Sequence, residues 1–369
     1  MRIGIDATPL LGQRSGIGTY TENLVSALVR GFPADDVVAT AFTWNGRRAL
    51  ADAVPDGVRI NSRPVPARLL RQAWHVGTRP HIEDLAGALD VFHATNFVLP
   101  PARRAASVVT IHDLAYLRFP ETVSAATLAY RDLVPKGLAR ADAVLVPSRA
   151  VADQVLDAYA VDPARVVVTH LGVDPAWAAT RPMAADALRQ LGIEDDYLVV
   201  VGTLEPRKNL RRLVAAYRAA LRADAALPQL VIVGGQGWGD ALDLSGLPES
   251  RIVTPGHLPW ADLRAVVAGA RALLFPSLDE GFGLPPLEAL ACGTPVLAAD
   301  IPVLREVLGG HAHFVPPTDV DAVAEGIRTV VSHPVGTSHG RRAWAEGFTW
   351  EACAEATHAA YEAATARRS

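Results

Sequence analysis

Leu274-Phe275-Pro276-Ser277-Leu278-Asp279-Glu280-Gly281-Phe282-Gly283-Leu284-Pro285-Pro286-Leu287-Glu288-Ala289 is the stretch on which the fold turns. An apolar run stops at Pro276 and a glycine-rich turn follows. A helical pattern then opens around Pro285, where proline is tolerated in a first turn. Strand, tight turn and helix in that order form half of a βαβ unit. The same rhythm runs outward in both directions. Upstream, the candidate strands are 2–6, 37–42, 91–94, 107–111 and 143–147, each followed by a turn and a helical pattern. The rhythm pauses after His170-Leu171-Gly172-Val173-Asp174-Pro175, in a polar, proline-containing stretch. It restarts at 197–202 and continues through 229–234, 251–254, 272–276, 295–299 and 313–315. The reading is α/β: two Rossmann-like domains, each a doubly wound parallel sheet. The expected division is 1–174 and 175–350, with a helix over about 351–369 returning to the first domain. Ligands of open α/β sheets bind outside the carboxyl ends of the strands, which points to a cleft between the domains.

Composition agrees. A chain of 369 residues has the length of about two domains. It lacks the run of about 18 apolar residues that a membrane-spanning helix needs. Its start, Met1-Arg2-Ile3-Gly4-Ile5-Asp6, carries an acid and reads as a first strand, not a signal peptide. Cys292 and Cys353 are too few for a disulfide framework and lack zinc-site spacing, so a reducing, cytoplasmic setting is expected. The net charge of −4 gives no case for nucleic acid as a partner. Residues 1–174 carry +1 and residues 175–369 carry −5. Only two lysines occur, Lys136 and Lys208.

Four stretches carry chemistry. In the quoted segment, first-turn N–H groups and Gly283 make an anion site. Glu280 and Glu288 flank it, as acceptors for hydroxyl-rich ligands. On that reading the helix start, with Glu288, is open to the cleft. Gly202-Thr203-Leu204-Glu205-Pro206-Arg207-Lys208-Asn209 follows the first strand of the second domain. Arg207 and Lys208 there can neutralise a diphosphate leaving group. Because arginine replaces lysine nearly everywhere else, Lys208 reads as more than a solvated surface cation. Gln13-Arg14-Ser15-Gly16-Ile17-Gly18-Thr19-Tyr20 imitates a dinucleotide fingerprint, with Asp35 or Asp36 as the ribose acid, but Thr21 stands where the third glycine belongs. In Val108-Val109-Thr110-Ile111-His112-Asp113-Leu114, His112 falls at a strand's carboxyl end.

Together these stretches resemble glycosyltransferase family 4, of the GT-B fold, and most of all its mannosyl- and rhamnosyltransferase branch. Glu280-Gly281-Phe282-Gly283-Leu284-Pro285-Pro286-Leu287-Glu288 is similar to that family's pair of acids seven residues apart. The resemblance spans nearly the whole chain. It implies that Glu288 binds the nucleotide ribose. It implies that Glu280 contacts the donor sugar, beside the backbone of Phe282, Gly283 and Leu284. Arg207 and Lys208 would hold the diphosphate, His112 would contact the transferred sugar, and Gly16 and Gly18 would lie near diphosphate and acceptor. Many members carry Arg after the glycine matching Gly202. This chain has Thr203, which implies either that Arg207 carries more of the phosphate charge or that donor affinity is lower. His257-Leu258 would frame the base or pack a turn.

The implied reaction is a retaining, metal-independent transfer from a nucleotide-diphosphate sugar, a co-substrate and not a cofactor, to a glycan, glycolipid or small-molecule acceptor. GDP-mannose is the first donor; a UDP- or dTDP-sugar is the alternative. Asp319-Val320-Asp321 spells a metal-binding D-x-D but precedes a helical pattern and reads as a cap. Around Arg68, Leu69, Leu70, Arg71, Trp74, His75 and Arg79 a basic amphipathic stretch is a candidate peripheral membrane contact; its alternative is a helix packing Leu69, Leu70 and Trp74 inward. Two rival readings are a nicotinamide-dependent oxidoreductase, opposed by the broken fingerprint, and a non-catalytic nucleotide-sugar binder, opposed by the intact Glu280, Glu288, Arg207 and Lys208.

Overall fold

The computed structural model describes residues 1–12, 16–44, 47–235, 237–238 and 242–368. The chain forms two compact units. The first comprises Met1–Arg118, Ala125–Gly172 and Thr349–Ser369; the second comprises Phe119–Ser124 and Val173–Phe348. The expected boundaries at 174 and 350 thus move to 172 and 348. The segment Phe119–Ser124 leaves its sequence neighbours for the second unit, where the Trp238 indole N–H donates to the Thr122 carbonyl (3.0 Å).

The first unit holds strands β1 (Arg2–Asp6), β2 (Asp36–Thr40), β3 (Arg59–Ile60), β4 (Val91–Ala94), β5 (Ala106–Thr110), β6 (Ala143–Val146) and β7 (Val166–Val168). They lie in the order β3-β2-β1-β4-β5-β6-β7, every pairing parallel. The second unit holds β8 (Tyr197–Val201), β9 (Gln229–Val233), β10 (Ile252–Gly256), β11 (Ala272–Phe275), β12 (Val296–Ala299) and β13 (His313–Val315). Their order, β10-β9-β8-β11-β12-β13, is again all parallel. In each sheet the order reverses once, between β1 and β4 and between β8 and β11. The crevice outside such a reversal is where doubly wound sheets bind ligands.

Parallel strands are covered on both faces, so they read as unbroken apolar runs. Tyr197-Leu198-Val199-Val200-Val201 is such a run. Leu198 and Val200 join Leu230, Ile232, Leu274 and the helices Leu210–Ala223 and Val320–Ser332 in one core. Tyr197 and Val199, buried as well, point to the other face. Each fully buried side chain of this size contributes roughly 1.5–3 kcal/mol.

The polar segment after Asp174 is part of the second unit's core. Helices Ala176–Ala179 and Ala185–Gln190 bury Trp177 and Leu188, and the first packs on the helix Leu284–Cys292. Polar residues hide this in the sequence, because a single tryptophan does most of the burying. The C-terminal helix Trp350–Ala366 belongs to the first unit and packs along the helix Gly16–Gly31. Asp319 caps the helix Val320–Ser332, accepting from the N–H groups of Asp321 and Ala322 (3.0 Å each).

Candidate active site

In the second unit the reversal between β8 and β11 brings two loops together. Beyond β8, the chain turns at Gly202, passes through a 3-10 turn at Pro206–Lys208 and enters the helix Leu210–Ala223. Gly202 sits at φ 152, and a Cβ on Gly234 would stand 1.9 Å from its carbonyl oxygen. Backbone contact this close admits only glycine. Beyond β11, the chain runs through Glu280 to Gly283, which opens the helix Leu284–Cys292.

Glu280 is the centre of the first cluster. Lys208 Nζ donates to its Oε1 (2.6 Å), and Arg207 Nη1 donates to its Oε2 (3.1 Å). Arg207 also donates to the Asp279 carbonyl (2.8 Å) and to Glu205 Oε1 (2.9 Å). Burial pushes the Glu280 carboxyl pKa up, but the charges of Lys208 and Arg207 outweigh it and hold the value at about 2. Glu280 is therefore ionised at any physiological pH. Donor counting separates the two cations. Arg207 has fixed its fork to Glu205, Asp279 and Glu280, so it frames the loop. Among the described residues, Lys208 donates to Glu280 alone, and an ammonium has three donors. The spare donors of this cluster therefore lie on Lys208 and not on Arg207, where the sequence placed the extra phosphate charge. Glu205, quoted in the sequence motif but given no role there, is the residue that holds Arg207.

The helix start offers fewer donors than its sequence suggests. Two of its first three residues are Pro285 and Pro286, which have no N–H. Leu287 N–H already donates to the Gly283 carbonyl (3.4 Å). The peptide N–H groups of Gly283 and Leu284 are what this turn can present to an anion. Gly283 is confined to glycine by φ 94 and by Leu304, whose Cδ2 lies 2.6 Å from where a Cβ would stand.

Glu288, one turn further on, is buried at 7% exposure and not open as the sequence suggested. The Trp177 side chain hydrogen-bonds it. Burial, with the charge of Asp174 adding to it, pushes its pKa up to about 8 against the pull of Arg264 and Trp177. It shares this buried setting with Cys292, whose thiol burial and Glu288 push up to about 12. Two carboxylates eight positions apart are thus driven in opposite directions, one kept charged and one kept protonated. Thr203 is exposed on the loop, and His257 is exposed beyond the edge strand β10, which β9 and β8 separate from β11. The structure does not gather His257 with the acids.

In the first unit His112 lies just past β5 at 9% exposure. Its Nε2 stands 2.7 Å from the Thr95 carbonyl, which can only accept, so Nε2 carries the proton and Nδ1 is the acceptor. Burial lowers its pKa and keeps the ring neutral. Tyr20 and Phe97 meet its ring edge-on, at 5.0 and 5.7 Å. Tyr20 is itself held by Thr110 (2.9 Å), Thr110 by His93 (2.7 Å), and His93 by Tyr361 of the C-terminal helix (2.7 Å). The sequence reading missed His93 because a lone histidine inside a strand pattern carries no outward signal. Gly16 and Gly18 form the first turn of the helix Gly16–Gly31; Gln13, Arg14 and Ser15 lie outside the described residues. Asp35 bonds the Met1 amine and His358 Nε2 (2.8 Å), and Asp36 pairs with Arg59. Neither is left to hold a ribose, which removes the last support for the dinucleotide reading.

Comparison with known proteins places the chain in a family. Glycosyltransferase Family 4 matches residues 14–177, and the group 1 glycosyl transferases match residues 186–346. An O-antigen chain mannosyltransferase B of Escherichia coli is 31% identical over 283 residues, 74% of each chain. The chain belongs to the family 4 glycosyltransferases. This glycosyltransferase also shares its fold with sucrose-phosphate synthase of Thermosynechococcus elongatus, at TM-score 0.72, 20% identity and 98% coverage of both chains. The Anabaena protein HepE, solved in complex with UDP and glucose, gives TM-score 0.68 at 17% identity, over 97% of this chain and 98% of that one. These likenesses make the two parallel-sheet units a GT-B fold.

Proposed function

We propose that this glycosyltransferase moves mannose from GDP-mannose to a hydroxyl of a glycan or glycolipid, retaining the anomeric configuration and needing no metal. The observation that carries the reading is the Lys208–Glu280–Arg207 cluster at the reversal of the second sheet. Its four charged groups, Glu205 included, sum to zero, so the cluster is stable without ligand and gains from one. A diphosphate meets the remaining Lys208 donors and the Gly283 and Leu284 N–H groups. Charge on the leaving phosphate grows in the transition state, so a fixed ammonium there lowers the barrier. Glu280, ionised, accepts hydrogen bonds from the sugar hydroxyls. Glu288, protonated or bonded to Trp177, faces a ribose diol as either acceptor or donor. The choice of mannose rests on the Escherichia coli relative, whose name gives it that sugar.

Cys292 and Cys353 are free and buried, in keeping with a reducing compartment. No described helix is long and apolar enough to cross a membrane. The helix Ala67–Val76 buries Leu70 and Trp74 but leaves Leu69 58% and Val76 86% exposed beside Arg68. We read that outer face as a peripheral contact with anionic lipid.

The test is a transfer assay offering GDP-mannose, UDP-glucose or dTDP-rhamnose to a mannoside acceptor, with and without EDTA, and NMR of the product linkage. An α-mannoside made from GDP-mannose in EDTA is expected. Turnover with another donor alone would replace the donor, and a β-linked product would overturn retention.

A further inference from the structure

The first unit contains a recess of about 30 Å3 beneath the helix Ala67–Val76. It opens at the carboxyl ends of β1 and β4, where the sheet order reverses. Asp6, Thr8 and Asn96 form its polar lining, Arg71 stands beside them, and Phe42 and Trp74 form an apolar wall.

Two features beside the recess are costly to the fold. Asn96 Oδ1 is enclosed and has no hydrogen-bond partner among the described residues. An enclosed acceptor without a donor costs about 1–3 kcal/mol. The next residue, Phe97, is held at φ 56, a left-handed conformation that costs a bulky side chain about 1–3 kcal/mol. Strain and an unmet polar atom, adjacent at a sheet reversal, are marks of a ligand site.

The chemistry of the lining selects the ligand. Asp6, only 6% exposed, accepts the Thr8 N–H on Oδ1 (2.9 Å). Asp6 and Asn96 Oδ1 are both acceptors and call for donors. Arg71 supplies donors for lone pairs. A hydroxyl group, donor and acceptor at once, answers both needs. Phe42 and Trp74 meet edge to face at 5.3 Å, and the indole N–H is spent on the Pro80 carbonyl (2.9 Å). The wall therefore presents carbon surface to the C–H face of a pyranose. About 30 Å3 admits one or two hydroxyls, with the ring standing at the mouth.

We propose that this recess seats hydroxyl groups of the acceptor sugar, with Asp6 and Asn96 accepting from them and Arg71 donating to them. The identity of that sugar as an acceptor rests on the transferase reading above; its binding does not.

The test uses methyl α-D-mannopyranoside as the probe and saturation-transfer NMR as the readout, without donor. Wild-type protein should give mannoside signals that weaken at least tenfold in Asn96→Ala and Arg71→Met, while GDP signals stay unchanged. In steady-state transfer the same variants should raise the mannoside KM about tenfold and leave the GDP-mannose KM within twofold. Asp6→Asn should behave likewise. If it fails to fold, Asn96→Ala, at a partly exposed residue, carries the test. Mannoside signals unchanged in the variants, or absent from a wild type that binds GDP, would overturn the proposal. Mannoside signals that do respond, in a protein that binds no nucleotide, would instead overturn the transferase reading.

Discussion

Replacing Glu288 with glutamine should make the protein more stable, and increasingly so as the pH rises. The carboxyl is 7% exposed, and its pKa is pushed up to about 8 from an ordinary 4.5. A carboxyl shifted this way supports the fold fully below pH 4.5 and loses that support as the pH climbs to 8, because the unfolded chain ionises first. Each pH unit in that window costs the folded state about 1.4 kcal/mol. Relative to its value at acid pH, the loss is about 1 kcal/mol at pH 5, about 3 kcal/mol at pH 7 and about 5 kcal/mol at pH 9. Glutamine keeps the size and still accepts the Trp177 hydrogen bond, but does not titrate. Urea unfolding of both proteins at pH 5, 7 and 9, without nucleotide, reads the difference directly. The curves should diverge with rising pH, and GDP should protect the variant less than the wild type. A variant less stable than wild type by the same amount at every pH would refute the reasoning, since it would show Glu288 already ionised and well paired.

Four further outcomes are expected. Lys208→Met should lower kcat by about 10²–10³, as for loss of one preorganised donor, and should also lower the melting temperature, because the buried Glu280 carboxylate is left with Arg207 alone; an unchanged kcat at saturating donor would remove Lys208 from the chemistry. Glu280→Gln should cost about 3 kcal/mol at pH 7, because its pKa of about 2 lies below 4.5, and the cost should shrink towards about 1 kcal/mol near pH 3 as the wild-type carboxyl loses its advantage. Trp177→Phe keeps an aromatic ring but removes the hydrogen bond to Glu288 and leaves a small cavity; at least about 1–3 kcal/mol of stability should be lost, read by urea unfolding. Gly283→Ala should cost about 1–3 kcal/mol through its left-handed φ and the Leu304 contact, and should weaken GDP binding in calorimetry by tilting the helix start.

The strands legible in the sequence were those buried on both faces, because an unbroken apolar run between turn residues has few other readings. Two escaped. β3 is two exposed residues, Arg59 and Ile60, with no pattern to see. β7, Val166–Val168, is a half-buried edge strand lost beside the motif that ends the first unit. In the active site the acids, the cations and the glycine turn could be named from spacing, since a loop of fixed length after a strand leaves little freedom. Their states could not. That Glu280 is ionised and Glu288 protonated depends on Lys208, Arg207, Trp177 and Asp174, which come from separate segments. The proline pair was visible in the sequence, but its effect on donor number emerges only when Pro285 and Pro286 are placed at the second and third helical positions. The recess under the helix Ala67–Val76 left no trace, because Asp6, Arg71 and Asn96 meet only through the sheet.

The return of the helix Trp350–Ala366 to the first unit has a consequence for how the protein is made. A ribosome adds roughly 5–20 residues per second and releases finished domains in order. Here the first unit is begun first and closed last. Tyr361, which is fully buried and completes the His93–Thr110–Tyr20 chain, is translated after the whole second unit. Until then an apolar face of the helix Gly16–Gly31 and of the β5–β6 region lacks its cover. The second unit, contiguous except for Phe119–Ser124, can mature while its elder neighbour waits. Chains stalled or clipped before residue 350 should therefore be captured by chaperones through the first unit, although that unit was synthesised early and nearly in full.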